Sequence, residues 1–543
     1  GALLKYFEKD NVYGIEPSKT YYNIITKAIS GNFILGDALE LKKYDDNKFD
    51  YIICYSTCQY FPDKTYFEKF INICYEKLKI GGKLYIGDIL DKDLEGKYKI
   101  FRIGQMGEEE YEKKYINNNL KHFYVSRRNI SAFLNNFIIL KIMGSDKRGD
   151  EDNYYRFNIC CEKVNTRINN LLTNEETMED LFTFKNFPVS LSCIEPNIDI
   201  NKKLDMNFQI CKKTGIIQIK NAPSLDDIYI TPHNSSYGKV WYNLFERFSL
   251  KIENILNEKK SVNILEIGGG SLLLASLILK NERVKNYTAF EKNIVFSHTN
   301  DKRVTIKDEY FLNDTLLDKN YDIFIHSHVL EHVWNPVEFI EAISRNISNG
   351  SYHCFIVPNL KETFSNKYTN ALDFEHNFFI IEDYIDIILN NNNFSVVEKE
   401  YYLDHSIIYI TKKIEKNLEI LEYPNLYEKN KKIALDFKNY YDKEITNLNS
   451  LIDNFEGKLY LFGGTGFSIY LIVLGLKTNK VICILDNDPK KENKKVYGTN
   501  FIVKNPKVIK DIDNVAVILK AASYQNEIET QLKDLNPNVK IFS

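Results

Sequence analysis

Short apolar runs along this chain end again and again in an acidic residue, and each is followed by a polar or amphipathic stretch. "NVYGIEPS" (11–18) reads as a strand ending at Glu16, "GNFILGDALEL" (31–41) carries a second ending at Asp37, and "FDYIICYSTCQYF" (49–61) is a third. Helical periodicity follows from about Lys64 to Leu78, and "GGKLYIGDI" (81–89) then turns at two glycines into another strand. Strands that alternate with helices in this way predict a largely parallel, doubly wound sheet.

The plan recurs downstream. "SVNILEIGGGSLLLASLIL" (261–279) reads as strand, glycine loop and helix, with Glu266 ahead of Gly268, Gly269 and Gly270. "YTAFEKN" (287–293) is a strand ending in Glu291, and "YDIFIHSHVLEHVWNP" (321–336) parallels "FDYIICYSTCQYF". Asn335 can cap the next helix, Pro336 suits its first position and Glu338 completes an N-x-x-E box. Val337, Ile340, Ser344 and Ile347 trace its expected buried face.

A third such unit, 457–489, has Gly463, Gly464 and Gly466 in its turn and Asp486 at the end of its second strand. Its run "LYLFGGTGFSIYLIVLGL" approaches the length of a membrane span, but the central glycines and the following "VICILD" predict strand, loop, helix and strand. Position 469 is Ile where a dinucleotide fingerprint has its third glycine, which disfavours NAD. The fold class expected is α/β, with two doubly wound Rossmann-like domains, a small capping subdomain and a C-terminal Rossmann-like domain. The expected boundaries are 1–164, 165–245, 246–415, a helical linker at 416–456, and 457–543.

Composition narrows the function. At 543 residues the chain exceeds one core. Its 71 basic and 74 acidic residues are interspersed, for a net charge of -3, so no field favours nucleic acid or an anionic membrane. Nine cysteines without a CxxC pair fit a reducing compartment, and a cytoplasmic location is expected. The opening "GALLKYF" has no initiator Met or signal peptide; Gly1 reads as the remainder of a glycine loop, so a fragment, or a first domain lacking its opening strand, is expected.

Ligands of doubly wound sheets bind beyond the carboxyl ends of the strands, where Glu16, Asp37 and Glu291 would sit. Carboxylates there suit ribose hydroxyls, though turn carboxylates look the same. In "DFEHNFFI" (373–380) Glu375 and His376 stand together inside an apolar run, and His332 falls at a strand-helix junction. Histidine titrates near neutrality, as a general base requires.

"LEIGGG", "GIEPS" and "AFEKN" resemble the glycine-rich and ribose-binding motifs of class I S-adenosylmethionine-dependent methyltransferases. From about 165 to 543 the order "DMNFQICKKTG", "HNSSYGKVW", "LEIGGG", "LEHVWNPVEF", "DFEHNFFI" and "LFGGTG…LDNDP" resembles sugar C-methyltransferases that act on nucleotide-linked keto-deoxysugars. The resemblance implies S-adenosylmethionine held by Glu266, Gly268, Gly269, Gly270 and Glu291, and by Glu16 and Asp37 in the first copy. It implies a sugar or nucleotide-sugar substrate, with His332, Glu375 and His376 catalytic. His233 and Tyr237 are candidates to close over that substrate, and Gly464 and Asp486 to contact its nucleotide.

The chain also departs from that family. Tyr-His precedes the Glu-His pair there, where this chain has Asp373 and Phe374. The family's zinc knuckle needs two CxxC pairs, but here Cys211 is followed by Thr214 and "TRINN" (166–170) holds no cysteine; Cys193 and Cys211 cannot close a zinc site. No bound metal is expected, and the capping subdomain should be held by packing alone. The first copy has no Glu-His pair; its Tyr55, Gln59 and Tyr60 line an acceptor pocket or pack beneath the sheet edge, packing being preferred for Tyr60. His326 and His328 read as structural. Two other readings stand: a nicotinamide-dependent oxidoreductase, which would lack a Tyr-x-x-x-Lys constellation, and a degenerate methyltransferase retained as a binding platform.

Overall fold

Near-continuous apolar strands need cover on both faces, and the chain provides it twice. A computed structural model describes residues 11–117, 122–134, 136–144, 154–198, 201–230, 238–292, 294, 297–317, 320–369, 373–415 and 419–543. They fall into two units, Gly1–Thr166 and Arg167–Ser543.

In the first unit Tyr13–Glu16 pairs in parallel with Asn32–Leu35. A four-stranded sheet runs Phe49–Tyr55, Leu78–Leu90, Arg156–Lys163, Phe137–Gly144, with its first pair parallel and the others antiparallel. The helix Lys64–Lys77 starts where Asp63 accepts the Tyr66 N–H at 2.8 Å, and it buries Phe67, Phe70, Ile71 and Cys74. Those side chains share a core with Leu84 and Ile86.

The second unit begins with a three-stranded antiparallel sheet, Ile217–Ile219, Lys203–Cys211, Met178–Pro188. Its main sheet has seven strands in the order Val304–Lys307, Val284–Phe290, Val262–Ile267, Ile323–Ser327, Tyr352–Pro358, Ser406–Lys413, Phe394–Tyr402. The first five are parallel neighbours, and the last two pairings are antiparallel. The helix Lys239–Asn257 buries Leu244, Phe245, Phe248, Ile252, Ile255 and Leu256, one stripe at helical spacing, in a core with Ile264, Ile323 and Ile356. Strand order reverses at Val262–Ile267, the topology that in such sheets puts the ligand crevice beside the loops after that strand and after Ile323–Ser327.

The helix after the crevice starts at Pro336, as the sequence predicts, with Asn335 Oδ1 accepting the Val337 and Glu338 N–H groups at 3.2 Å. The second half of the capping box does not form, because Glu338 takes a hydrogen bond from the Asn313 side chain instead. The buried face is also displaced from the one expected. Phe339, Ile340, Ala342 and Ile343 go inward, while Val337 and Ser344 are only half-buried.

Residues Tyr427–Asp453 form one helix, and the chain ends in a five-stranded parallel sheet centred on Lys458–Phe462. The long apolar run of 459–476 divides into that strand and the helix Gly466–Val473. Among the described residues no helix is long and apolar enough to cross a membrane.

Candidate active site

The glycine loop forms one wall of the crevice. Gly268 has φ +70° and a Cβ there would lie 2.5 Å from Val329 Cγ2, so both backbone and space require glycine. That contact sets the cofactor loop directly against the loop that carries His332. Glu291, at the end of the neighbouring strand, accepts the Gly270 N–H through Oε2 at 2.7 Å. Glu266 differs from the expectation of a ligand-facing carboxylate: it is 2% exposed and lies under the loop, accepting the Tyr287 hydroxyl at 2.8 Å. Burial raises its carboxyl to about 7.

Across the crevice the structure brings His332 and His376 together, with ring centroids 4.8 Å apart. His332 Nδ1 shares a hydrogen bond with the Tyr229 hydroxyl at 3.1 Å, and its Nε2 lies 3.8 Å from Glu331 Oε1. Burial, with the nearby Asp373 carboxylate, raises Glu375 to about 8. Burial also raises Glu331 to about 7, against the opposing pull of His376, and pushes the Tyr229 phenol well up. Glu331, His332 and His376 offer ligand atoms within 4.8 Å of one another.

The turn that carries Glu375 and His376 is built by their neighbours. Asp373 Oδ1 accepts both their N–H groups at 2.8 Å, a local turn that an Asp two residues ahead of the pair can signal. Asn377 donates to the Val333 carbonyl at 3.2 Å and accepts from Arg167 at 2.9 Å. Arg167 is fully buried, lies over the Trp334 ring at 3.9 Å from its centroid, and has its basicity lowered to about 9 by burial. Phe374 packs on Phe187, which packs on Tyr470 of the C-terminal domain. Tyr229 and Arg167 carry no motif of their own, and Glu331 enters "LEH" only as the neighbour of His332.

His326 and His328 stand apart from this cluster. His326 pairs with His353, Nε2 to Nε2 at 3.1 Å, and His328 reaches Ser406 Oγ at 3.1 Å. Burial keeps both well below the usual histidine range. Asp486 is occupied within its own turn, by the Gly464 N–H at 2.8 Å and by Lys491 at 3.0 Å. His233 and Tyr237 lie outside the described residues.

Nor does the expected knuckle fit zinc. Cys211 Sγ takes the Asn170 amide at 3.1 Å, the Thr177 hydroxyl at 3.0 Å and the N–H groups of Lys213 and Thr214 at 3.3 Å. One thiol among amides and hydroxyls is not a tetrahedral zinc donor set. The subdomain is therefore held by hydrogen bonds as well as packing.

In the first unit Glu16 accepts the Ser18 N–H at 2.9 Å and Asp37 caps Leu39 at 2.9 Å. Left-handed Ser56 (φ 55°) and His328 (φ 53°) follow corresponding strands and precede the helix caps Asp63 and Asn335 by the same spacing. That alignment sets Gln59 where the second unit has Glu331, and Tyr60 where it has His332. Gln59 accepts from Arg156 at 2.8 Å, whereas Tyr60 is 62% exposed rather than packed beneath the sheet.

Residues 240–399 match the family model of a methyltransferase domain, and residues 1–86 match a second methyltransferase-domain model. No curated protein matches the chain. Among solved structures it is similar to an S-adenosylmethionine-dependent methyltransferase from Clostridium acetobutylicum ATCC 824, at 12% identity over 32% of this chain and 92% of that one, TM-score 0.26. A second such enzyme, from Mesorhizobium loti, matches at 10% identity over 30% and 96%, TM-score 0.26. A third is the Burkholderia thailandensis 1,6-didemethyltoxoflavin-N1-methyltransferase with bound S-adenosylhomocysteine, at 13% over 33% and 82%, TM-score 0.26. The two matched domains, with a glycine loop and an acidic strand end hydrogen-bonded to each other in the second, make the chain an S-adenosylmethionine-dependent methyltransferase.

Proposed function

We propose that the second unit methylates a sugar, either a nucleotide-linked keto-deoxysugar or a polysaccharide precursor, on carbon or oxygen. The observation that supports this reading is the meeting of His332, Glu375, His376 and Tyr229 beside the cofactor loop. S-adenosylmethionine, held by Gly268, Gly269, Gly270 and Glu291, supplies an electrophilic methyl group. The acceptor must lose a proton and be held in line. For a carbon acceptor one group removes the proton beside the ketone while a donor stabilises the enolate oxygen. His332, fixed by Tyr229, and His376, fixed by Asp373, divide those tasks, and Glu375 accepts or relays the proton. For a hydroxyl acceptor one base suffices.

The test is incubation of the purified chain with S-adenosylmethionine and nucleotide-linked keto-deoxysugars, followed by mass spectrometry. A product one methylene heavier, lost in His376→Ala while S-adenosylhomocysteine still binds, supports the reading. Methylation of other acceptors and of no sugar overturns it. For the first unit, Gln59 and Tyr60 at the positions of Glu331 and His332 support a role in binding rather than turnover.

A further inference from the structure

We propose that Glu331, His332 and His376 form a divalent transition-metal site at the acceptor end of the crevice. Three observations carry it. The three side chains present one carboxylate and two imidazole ligand atoms within 4.8 Å of one another. Glu331 is completely buried, and among the described residues no other residue hydrogen-bonds either of its carboxylate oxygens. A carboxylate buried in this way is costly to ionise, and a bound cation removes that cost. Finally, the Tyr229 hydroxyl engages His332 Nδ1 while Nε2 faces Glu331, which is how ligating histidines are held by an outer partner.

Local hydrogen bonds hold the backbone that carries the two histidines. The His332 N–H closes on the Val329 carbonyl at 3.0 Å, and Asp373 fixes the backbone of His376. Two imidazoles and one carboxylate suit Zn²⁺, Fe²⁺, Co²⁺ or Mn²⁺ and leave open positions on one side. Adjacent oxygens of a sugar, two hydroxyls or a hydroxyl and a ketone, are the ligand class that would fill them. With a cation bound, His332 and His376 act as its ligands rather than as base and donor, and the cation stabilises the developing alkoxide or enolate in their place. The proton passes to the ionised Glu375 carboxylate, the electron pair left on the acceptor forms the bond to the methyl carbon, and the carbon–sulfur bond breaks to leave S-adenosylhomocysteine. This role rests on the function proposed above, whereas cation binding itself does not. The first unit has Gln59 and Tyr60 at the equivalent positions, and neither is a carboxylate or an imidazole.

The experiment is calorimetric titration of Zn²⁺ and Mn²⁺ into the chelator-treated full chain, with Co²⁺ followed by its visible absorption. One equivalent is expected to bind. Glu331→Gln and His376→Ala should each weaken it more than about 100-fold, since loss of supporting partners alone costs ~10- to 100-fold. Cys211→Ser should leave it unchanged, and retained S-adenosylhomocysteine binding by Glu331→Gln shows that the variant is folded. No saturable binding, or equal binding by Glu331→Gln and the parent, overturns the site. Cation binding without methylation of any sugar leaves the site standing and removes the proposed substrate.

Discussion

The buried guanidinium of Arg167 donates to the side-chain oxygen of Asn377 at 2.9 Å, and through it the turn bearing Glu375 and His376 is tied to the segment bearing His332. Arg167→Met keeps much of the volume and the Trp334 contact but removes every donor. It should cost roughly 3 kcal/mol, because Asn377 and several carbonyls lose a buried partner. Turnover should fall by about 10-fold or more as the two histidines lose their spacing, with S-adenosylhomocysteine affinity unchanged. Thermal denaturation and calorimetry read both effects; unchanged turnover in a destabilised protein would reduce Arg167 to a purely structural residue.

Glu291 is the strand-end carboxylate that reaches the glycine loop. Glu291→Ala should weaken S-adenosylhomocysteine binding by about 10- to 100-fold, the worth of one or two charge-assisted hydrogen bonds. Glu16→Ala, tested beside it, isolates the first unit. If the full chain binds two equivalents, each substitution should remove one. A Glu291→Ala protein that binds as tightly as the parent would place the ribose elsewhere.

Which of these residues the sequence disclosed follows from how local their partners are. Glu291 and Gly268 belong to strand ends and turns, whose geometry a few neighbouring residues dictate, and the paired βαβ plan is legible for the same reason. Arg167 finds its partner 210 positions away, so nothing near "TRINN" announces it. Glu331 sits inside "LEH" as an unremarkable neighbour of the histidine, and only its complete burial marks it out. The helix at 336 was placed well by its cap but rotated wrongly, because the sheet beneath buries Phe339 and Ile343 and Asn313 draws Glu338 aside.

Glu266 gives a pH signature distinct from the crevice. Its carboxyl is raised from an ordinary 4.5 to about 7 by burial, so the folded state binds the proton more tightly than the unfolded chain. That contribution is complete below pH 4.5, declines as pH rises towards 7, and is gone above it. Glu266→Gln, which stays neutral, should therefore gain on the parent between those limits, by on the order of 3 kcal/mol at most. Urea unfolding of both proteins at pH 5 and pH 8 checks it. An equal difference at the two pH values would mean that the Tyr287 hydrogen bond, not the charge, governs this site.

The hydrogen-bonded loops around Cys211 make the last prediction. Thr214 stands where the resemblance implies a knuckle cysteine, and Asn170 Nδ2 reaches both Cys211 Sγ at 3.1 Å and Thr214 Oγ1 at 3.3 Å. Hydrogen bonds thus hold together the two loops that a metal would otherwise join. Cys211→Ala leaves the buried Asn170 amide without one acceptor and should cost ~1–3 kcal/mol. The converse change, Asn170→Cys with Thr173→Cys and Thr214→Cys, creates two CxxC pairs on these loops. That triple variant should carry one zinc more than the parent when the two are purified side by side, and chelation of the added zinc should lower its melting temperature. Equal metal content in the two proteins would mean that the loops have diverged in backbone as well as in side chains, and that the hydrogen-bond network is not a relic of a metal site.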